Sequence, residues 1–202
     1  MEPNLLENKE ISNPCPLLRK EFDIQKEVTK ATIYVTCHGL YQLQLNGKKV
    51  GDQEFTPGWT SYPQNDFSTK HMTLPIKFKP GKMPSVQLLV MAGTGALWAG
   101  KAKKNLYGEK SALLCQIRLT FSDGSEQVIV SDKSWKASTG AILASEIYHG
   151  EIYDAGLEKM GWDKPEFNDS EWFEVTEQEH GFQNLVASTG SPVKSYERVK
   201  SN

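Results

Sequence analysis

Three loop segments hold the side chains best suited to binding. Pro57-Gly58-Trp59-Thr60, Gly93-Thr94-Gly95-Ala96-Leu97-Trp98-Ala99-Gly100 and Asn105-Leu106-Tyr107-Gly108 each interrupt a strand pattern at an end. A tryptophan placed there offers a flat apolar face on which the C–H groups of a sugar ring can stack. Asn and Asp offer paired hydrogen bonds to vicinal hydroxyls. With backbone carbonyls, they are also the oxygen ligands that Ca²⁺ prefers. The competing reading is structural: Trp59 and Trp98 fill a core or a corner, and the glycines shape turns. Trp98 stands among glycines and Lys101, Lys103 and Lys104, a setting that favours exposure.

The residue sets of common enzymes are not found. His38, His71, His149 and His180 sit neither in HExxH nor beside a cysteine pair at metal spacing. No GxSxG, P-loop or GxGxxG occurs. Asp and Glu total 25, which an ordinary surface absorbs. A glycosidase needs two of them about 5 to 10 Å apart, and strand sequence does not reveal such a pair. The net charge is −2 with Lys and Arg scattered, so no basic stripe for nucleic acid is built. Cys15, Cys37 and Cys115 are odd in number and unpaired in spacing, which argues against a disulfide framework. Cys37 and Cys115 read as small core residues of strands. No apolar run approaches the ~20 residues that span a bilayer, and Met1-Glu2-Pro3-Asn4 does not open a signal peptide.

The elements that would position these loops are strands. Residues 1–20 are polar and broken by Pro3, Pro14 and Pro16, and read as an irregular lead-in. Residues 32–37 are rich in β-branched and aromatic side chains. Tyr41, Leu43 and Leu45 alternate with Gln42 and Gln44, the pattern of a half-buried strand. Asn46-Gly47 is a strong hairpin signal, and residues 48–50 start the return. Residues 86–91 form a short apolar run. Leu113, Cys115, Ile117, Leu119 and Phe121 share one face. Asp123-Gly124 marks a second hairpin, with residues 126–130 pairing back and 135–138 a further strand. One short helical turn is expected at 169–172, capped by Asp169 or Ser170. No stretch keeps helical periodicity for three turns. The pattern predicts an all-β antiparallel sandwich or jelly roll, spanning 21–187, with a polar tail over 188–202 leading toward a further domain.

Chained motifs carry a family resemblance. They begin with residues 17–22 (Leu-Leu-Arg-Lys-Glu-Phe), 39–52 from Gly39-Leu40-Tyr41 to Val50-Gly51-Asp52, and Phe55-Thr56-Pro57-Gly58-Trp59-Thr60-Ser61-Tyr62. They continue with Tyr107-Gly108-Glu109, Asp123-Gly124-Ser125, Ser131-Asp132-Lys133-Ser134-Trp135, Tyr153-Asp154-Ala155, Gly161-Trp162-Asp163 and Phe167-Asn168-Asp169-Ser170-Glu171-Trp172. Together, over about residues 14 to 195, they resemble the N-terminal domain of bacterial α-L-rhamnosidases of glycoside hydrolase family 78. The resemblance implies a galactose-binding-like jelly roll. It also implies a parent enzyme, an inverting hydrolase, whose acid and base lie in a downstream (α/α)₆ barrel. It is similar, too, to carbohydrate-binding module family 67, which binds L-rhamnose through Ca²⁺. Carried over residue by residue, that site falls on Asn65 and Asp66, Trp98 and Asn105, with Asn65, Asp66 and Asn105 as the metal's side-chain ligands. The chain departs from the family at its glycine-rich turn, which reads Thr94-Gly95-Ala96-Leu97-Trp98 where Gly-x-Gly-Trp-Tyr is usual. Three readings follow: a module for L-rhamnose-containing glycans, a domain that braces the catalytic barrel without binding sugar, and a self-sufficient hydrolase. The length and the missing barrel weigh against the third. The resemblance leaves the parent's compartment open.

Overall fold

A computed structural model describes residues 13–58, 67–74, 85–91, 111–146, 150–179, 185–188 and 191–197. In chain order its strands are β1 (Pro16–Glu21), β2 (Val28–His38), β3 (Leu40–Leu45), β4 (Lys48–Lys49) and β5 (Gln53–Glu54). Next come β6 (Phe67–Leu74), β7 (Ser85–Met91), β8 (Ala112–Phe121), β9 (Glu126–Val130) and β10 (Lys136–Thr139). The last are β11 (Ile142–Glu146), β12 (Gly150–Tyr153), β13 (Phe173–Glu174), β14 (Leu185–Ala187) and β15 (Val193–Lys194). A six-stranded sheet runs β13-β10-β1-β7-β3-β4, and a five-stranded sheet runs β14-β6-β2-β8-β9. Two small ribbons, β11-β12 and β15-β5, lie beside them. Every pairing is antiparallel except β14 with β6.

Period-two alternation decides which side chains meet between the sheets. Tyr41, Leu43 and Leu45 come from the first sheet. Ile33, Val35 and Cys37 of β2, Cys115, Ile117 and Leu119 of β8, and Ile129 of β9 come from the second. All are buried, and Ile33, Val35 and Leu119 are fully so. The antiparallel register sets Ile33 against Ile117 and Val35 against Cys115, so inward positions stay inward along the whole β2–β8 pair. This is the expected antiparallel sandwich. Asn46 and Gly47 both take positive φ, 50° and 75°, the backbone that a two-residue hairpin turn requires.

Three expectations need correction. The lead-in is not irregular to residue 20, because β1 starts at Pro16 and lies inside the six-stranded sheet between β10 and β7. Pro16 is the first residue of that strand, where a missing N–H is tolerated. Residues 169–172 do make a single turn, in which the Trp172 N–H donates to the Asp169 carbonyl at 3.0 Å, but the expected cap is wrong. Its cap is neither Asp169 nor Ser170; the Asn168 side chain accepts from the Ser170 N–H at 3.1 Å. The helix found among the described residues is a single 3₁₀ turn, Ala155–Leu157, capped by Asp154. Finally, the tail does not simply lead away: Val193 and Lys194 pair with Glu54 and Gln53.

The two sheets differ on their outer faces. Residues 154–172 lie as a strap over β1, with Trp162, Phe167 and Trp172 packed together on Leu17 and Cys15. The outer face of the five-stranded sheet instead presents Tyr34, Leu114, Val128 and Val130, each about a third to a half exposed.

Candidate functional site

The register of the strands identifies the end of the sandwich from which the candidate loops leave. β2 turns into β3 at Gly39, whose φ is 111°. Leu40 pairs with Met91, so β7 ends there. His38 pairs with Ala112, so β8 begins there. Val35 pairs with Lys70, and the antiparallel direction therefore starts β6, at Phe67, on the same side. Tyr41 bridges to Thr56, which brings in the chain as far as Gly58. The described chain thus enters and leaves both 59–66 and 92–110 at the β2–β3 corner. The predicted site residues Asn65, Asp66, Trp98 and Asn105 lie within those two stretches, outside the described residues, as does Trp59.

Next to this corner the structure shows a feature that sequence reasoning missed. A small, largely enclosed recess is lined by Tyr41, Gln42 and Leu43 of β3, Lys49 and Val50, and residues 53–56. The Tyr41 N–H donates to the Thr56 carbonyl at 2.7 Å, and the Thr56 hydroxyl donates back to the Tyr41 carbonyl at 2.6 Å. These bonds fix the floor. Gln53 Oε1 is buried without a hydrogen-bond partner, whereas the Tyr41 phenol reaches into the core beside Cys37 and Cys115 and hydrogen-bonds with the Thr56 side chain. Burial holds the Tyr41 phenol well above its usual range. Lys49 and Glu54 form an ion pair in the lining. Phe55 stands nearly half exposed in a left-handed backbone, φ 52°, a conformation that costs a non-glycine residue about 1–3 kcal/mol. No sequence signal marks the set, because an unpaired atom is a property of the folded surroundings.

A second polar cluster is built into the strap. Arg19 is 2% exposed, although it sits on a strand. Its guanidinium donates to the carbonyls of Trp162 and Lys164, each at 3.1 Å, and pairs with Asp169 and Glu21. It also lies over the Phe167 ring, 5.6 Å from the centroid. Lys136 joins Asp169 at 2.8 Å, and Glu21 accepts from the Glu166 N–H at 2.9 Å. Burial lowers the Arg19 pKa against the pull of Asp169. For Asp169 burial acts upward, and the Lys136 hydrogen bond with the Arg19 charge outweighs it, leaving the carboxyl below its usual range. The Arg19 guanidinium, the Asp169 and Glu21 carboxylates and the Lys136 ammonium are all engaged within the chain, so the cluster fastens the strap. Among the described residues no group of three or more His, Cys, Asp or Glu side chains is arranged to hold a metal ion.

Comparison with known proteins gives one consistent answer. The α-L-rhamnosidase N-terminal domain family matches residues 26–197. The α-L-rhamnosidase of Streptomyces avermitilis is 34% identical over 187 residues, covering 91% of this chain and 18% of that enzyme. An α-L-rhamnosidase of Formosa agariphila is 36% identical over 77% of this chain and 17% of its own length. Among solved structures, the Aspergillus terreus α-L-rhamnosidase superposes with a TM-score of 0.84 at 36% identity, over 90% of this chain and 21% of that one. The Streptomyces avermitilis enzyme in complex with L-rhamnose gives 0.82 at 32%, over 91% and 18%. The chain thus spans about a fifth of the length of the curated relatives it matches.

Proposed function

The chain belongs to the α-L-rhamnosidase N-terminal domain family, and from that premise we propose that it recognises terminal L-rhamnose for a longer parent glycoside hydrolase. The parent's active carboxylates lie in a downstream catalytic domain, and this domain contributes binding rather than bond cleavage. Asn65, Asp66 and Asn105 contribute oxygens to one Ca²⁺ and to rhamnose hydroxyls, and Trp98 stacks on the sugar. Ca²⁺ takes six to eight oxygens at about 2.3–2.6 Å, so backbone carbonyls and the sugar complete the shell. What supports this reading is the register at the β2–β3 corner. The strand ends that flank 59–66 and 92–110 stand side by side, which is what a site drawn from both stretches requires.

Calorimetric titration with L-rhamnose, with Ca²⁺ and with chelator, tests it. Saturable heat should appear with Ca²⁺, and each ligand should raise the other's affinity by the same factor. Trp98→Ala should weaken sugar binding by about 1–3 kcal/mol, by analogy with aromatic stacking on a base, while leaving the melting temperature nearly unchanged. An absence of saturable binding at about 50 mM sugar, far above an ordinary millimolar Kd, would remove the proposal. One observation favours the second reading, a bracing domain that binds no sugar: the apolar outer face of Tyr34, Leu114, Val128 and Val130 is uncovered by the described residues. Under that reading the titration is flat.

A further inference from the structure

We propose that β15 is a latch: its docking on β5 holds Phe55 in a left-handed backbone, so that the position of the tail sets the conformation of residues 53–58 beside the β2–β3 corner. Val193 and Lys194 pair antiparallel with Glu54 and Gln53, and Lys194 Nζ lies 2.7 Å from the Asp52 carboxylate. Among the described residues β5 has no strand partner other than β15. Lys49 also pairs with Glu54, but a side-chain ion pair does not fix the backbone. Just beyond β5 the chain is held from the other side, by the Tyr41–Thr56 bridge with its hydrogen bonds of 2.7 and 2.6 Å. Phe55 is the single residue between these two anchors, with φ 52° and its side chain nearly half exposed.

Left-handed backbone is unfavourable for a phenylalanine, because its Cβ crowds the following carbonyl oxygen. It persists only where the surroundings impose it. The ribbon that imposes it here is of a kind that opens easily. It comprises two residue pairs, Val193 and Tyr196 of the tail are exposed, and its ion pair lies in solvent, where such pairs are weak. A short exposed strand of this sort belongs to the low-stability end of a fold. Strain on one side and marginal pairing on the other make a two-state element. Docked, Phe55 is left-handed; undocked, it is free to return to the extended region. In the α-L-rhamnosidases that this chain matches, the matched domain is about a fifth of a longer protein. A neighbouring domain that draws on the tail then moves Phe55 to Gly58, and with them the point from which the chain enters residue 59. That use rests on the parent enzyme proposed above, whereas the latch itself does not.

Amide hydrogen exchange of the whole chain, read by mass spectrometry with no sugar or Ca²⁺ added and corrected for intrinsic rates, tests the latch. Val193→Pro together with Lys194→Pro removes both backbone donors of β15. It should speed exchange over 53–58 by about tenfold or more while β2 and β8 keep their rates. Lys194→Glu sets like charges against each other at Asp52 and should speed the same peptide several-fold. Adding Asp52→Lys should restore the original rate, which a tail loosened for any other reason would not do. Phe55→Gly should act in the opposite direction. Glycine takes the left-handed backbone without the Cβ penalty, so the docked state gains and exchange at 53–58 and at 193–194 should slow by about threefold or more. The latch is overturned if the folded double-proline chain leaves 53–58 unmoved, or if Phe55→Gly speeds exchange on both strands. If the double-proline chain does not fold, the charge reversal and its rescue decide the matter in the same way. A flat sugar titration would remove the reading above and leave these rates as they are.

Discussion

At the scale of single residues, Arg19 carries the most weight. It is buried on the outward face of β1, and its hydrogen bonds to two backbone carbonyls and two carboxylates hold the strap down. Removing one partner from a buried ionic cluster leaves the others uncompensated. Arg19→Met should therefore cost about 3 kcal/mol in urea unfolding. Arg19→Lys should recover only part, because one ammonium cannot span carbonyls and carboxylates as the guanidinium fork does. A loss below about 1 kcal/mol would place the cluster with ordinary surface pairs. The same cluster has a pH signature. The Asp169 pKa is depressed in the folded chain, so its contribution is complete above the unfolded carboxylate value of about 4 and is lost as pH falls through the folded one. Asp169→Asn should flatten that part of the acid limb. The cysteines make a further test. Cys15, Cys37 and Cys115 are thiols outside any disulfide and 1–3% exposed, and burial pushes the Cys37 thiol upward and the Cys115 thiol up to about 12. Ellman's reagent should find no thiol in the native chain and all three in guanidinium, since the thiolate is the reactive form.

At the scale of elements, what could be read from the sequence divides by whether the signal was local. Residues 41–45 and 113–121 declared both their strands and their buried faces, because alternation is a local pattern. Asn46-Gly47 declared its turn, because positive φ at two positions is a local demand. β1 was hidden. Pro14 and Pro16 read as breakers, and residues up to 20 as a polar, irregular lead-in. The charges are there because the strand's outer face is covered by a strap some 150 positions away in the chain, and no local pattern reports that. The cap at 168–172 failed for a smaller reason: Asn168, Asp169 and Ser170 are all competent caps, and Asp169 was already committed to Arg19 and Lys136. The turn glycines offer a measurement. Gly124, φ 80°, has nothing within 4 Å of an added Cβ, whereas at Gly47, φ 75°, that atom would lie 3.3 Å from the Asp163 side chain. Gly124→Ala should therefore cost about 1–2 kcal/mol, the price of left-handed backbone alone. Gly47→Ala should cost more by whatever the Asp163 contact adds. Equal losses in thermal unfolding would mean that the strap yields freely at Asp163.

For the molecule as a whole, the family and the sandwich were legible because many short motifs in order are jointly specific, although each alone is not. The site was legible only as residue types. Asn65, Asp66, Trp98 and Asn105 fall outside the described residues, while the recess beside the corner is lined in part by Gln53 and Phe55, which no spacing singled out. The likeness is not confined to bacterial enzymes, since it extends to Aspergillus terreus. The remaining question at this scale is whether the chain can hydrolyse a rhamnoside unaided. A glycosidase working near neutral pH needs a carboxylic acid with a raised pKa beside a second carboxylate, about 5 to 10 Å away. Four of the described carboxylates are held the opposite way. Asp52 is held below its usual range by Lys194, and Asp123 by Lys26 and Ser125. For Asp132 and Asp169 burial acts upward, and hydrogen bonds from Ser134, Lys20 and Lys136 prevail. Carboxylates held ionised in this way can brace a fold but cannot protonate a leaving group. The chain alone should release no p-nitrophenol from p-nitrophenyl α-L-rhamnoside above the rate in buffer. Turnover that followed the protein through two columns and saturated with substrate would show that a working acid lies elsewhere in the chain than these four, and would return the hydrolase reading to first place.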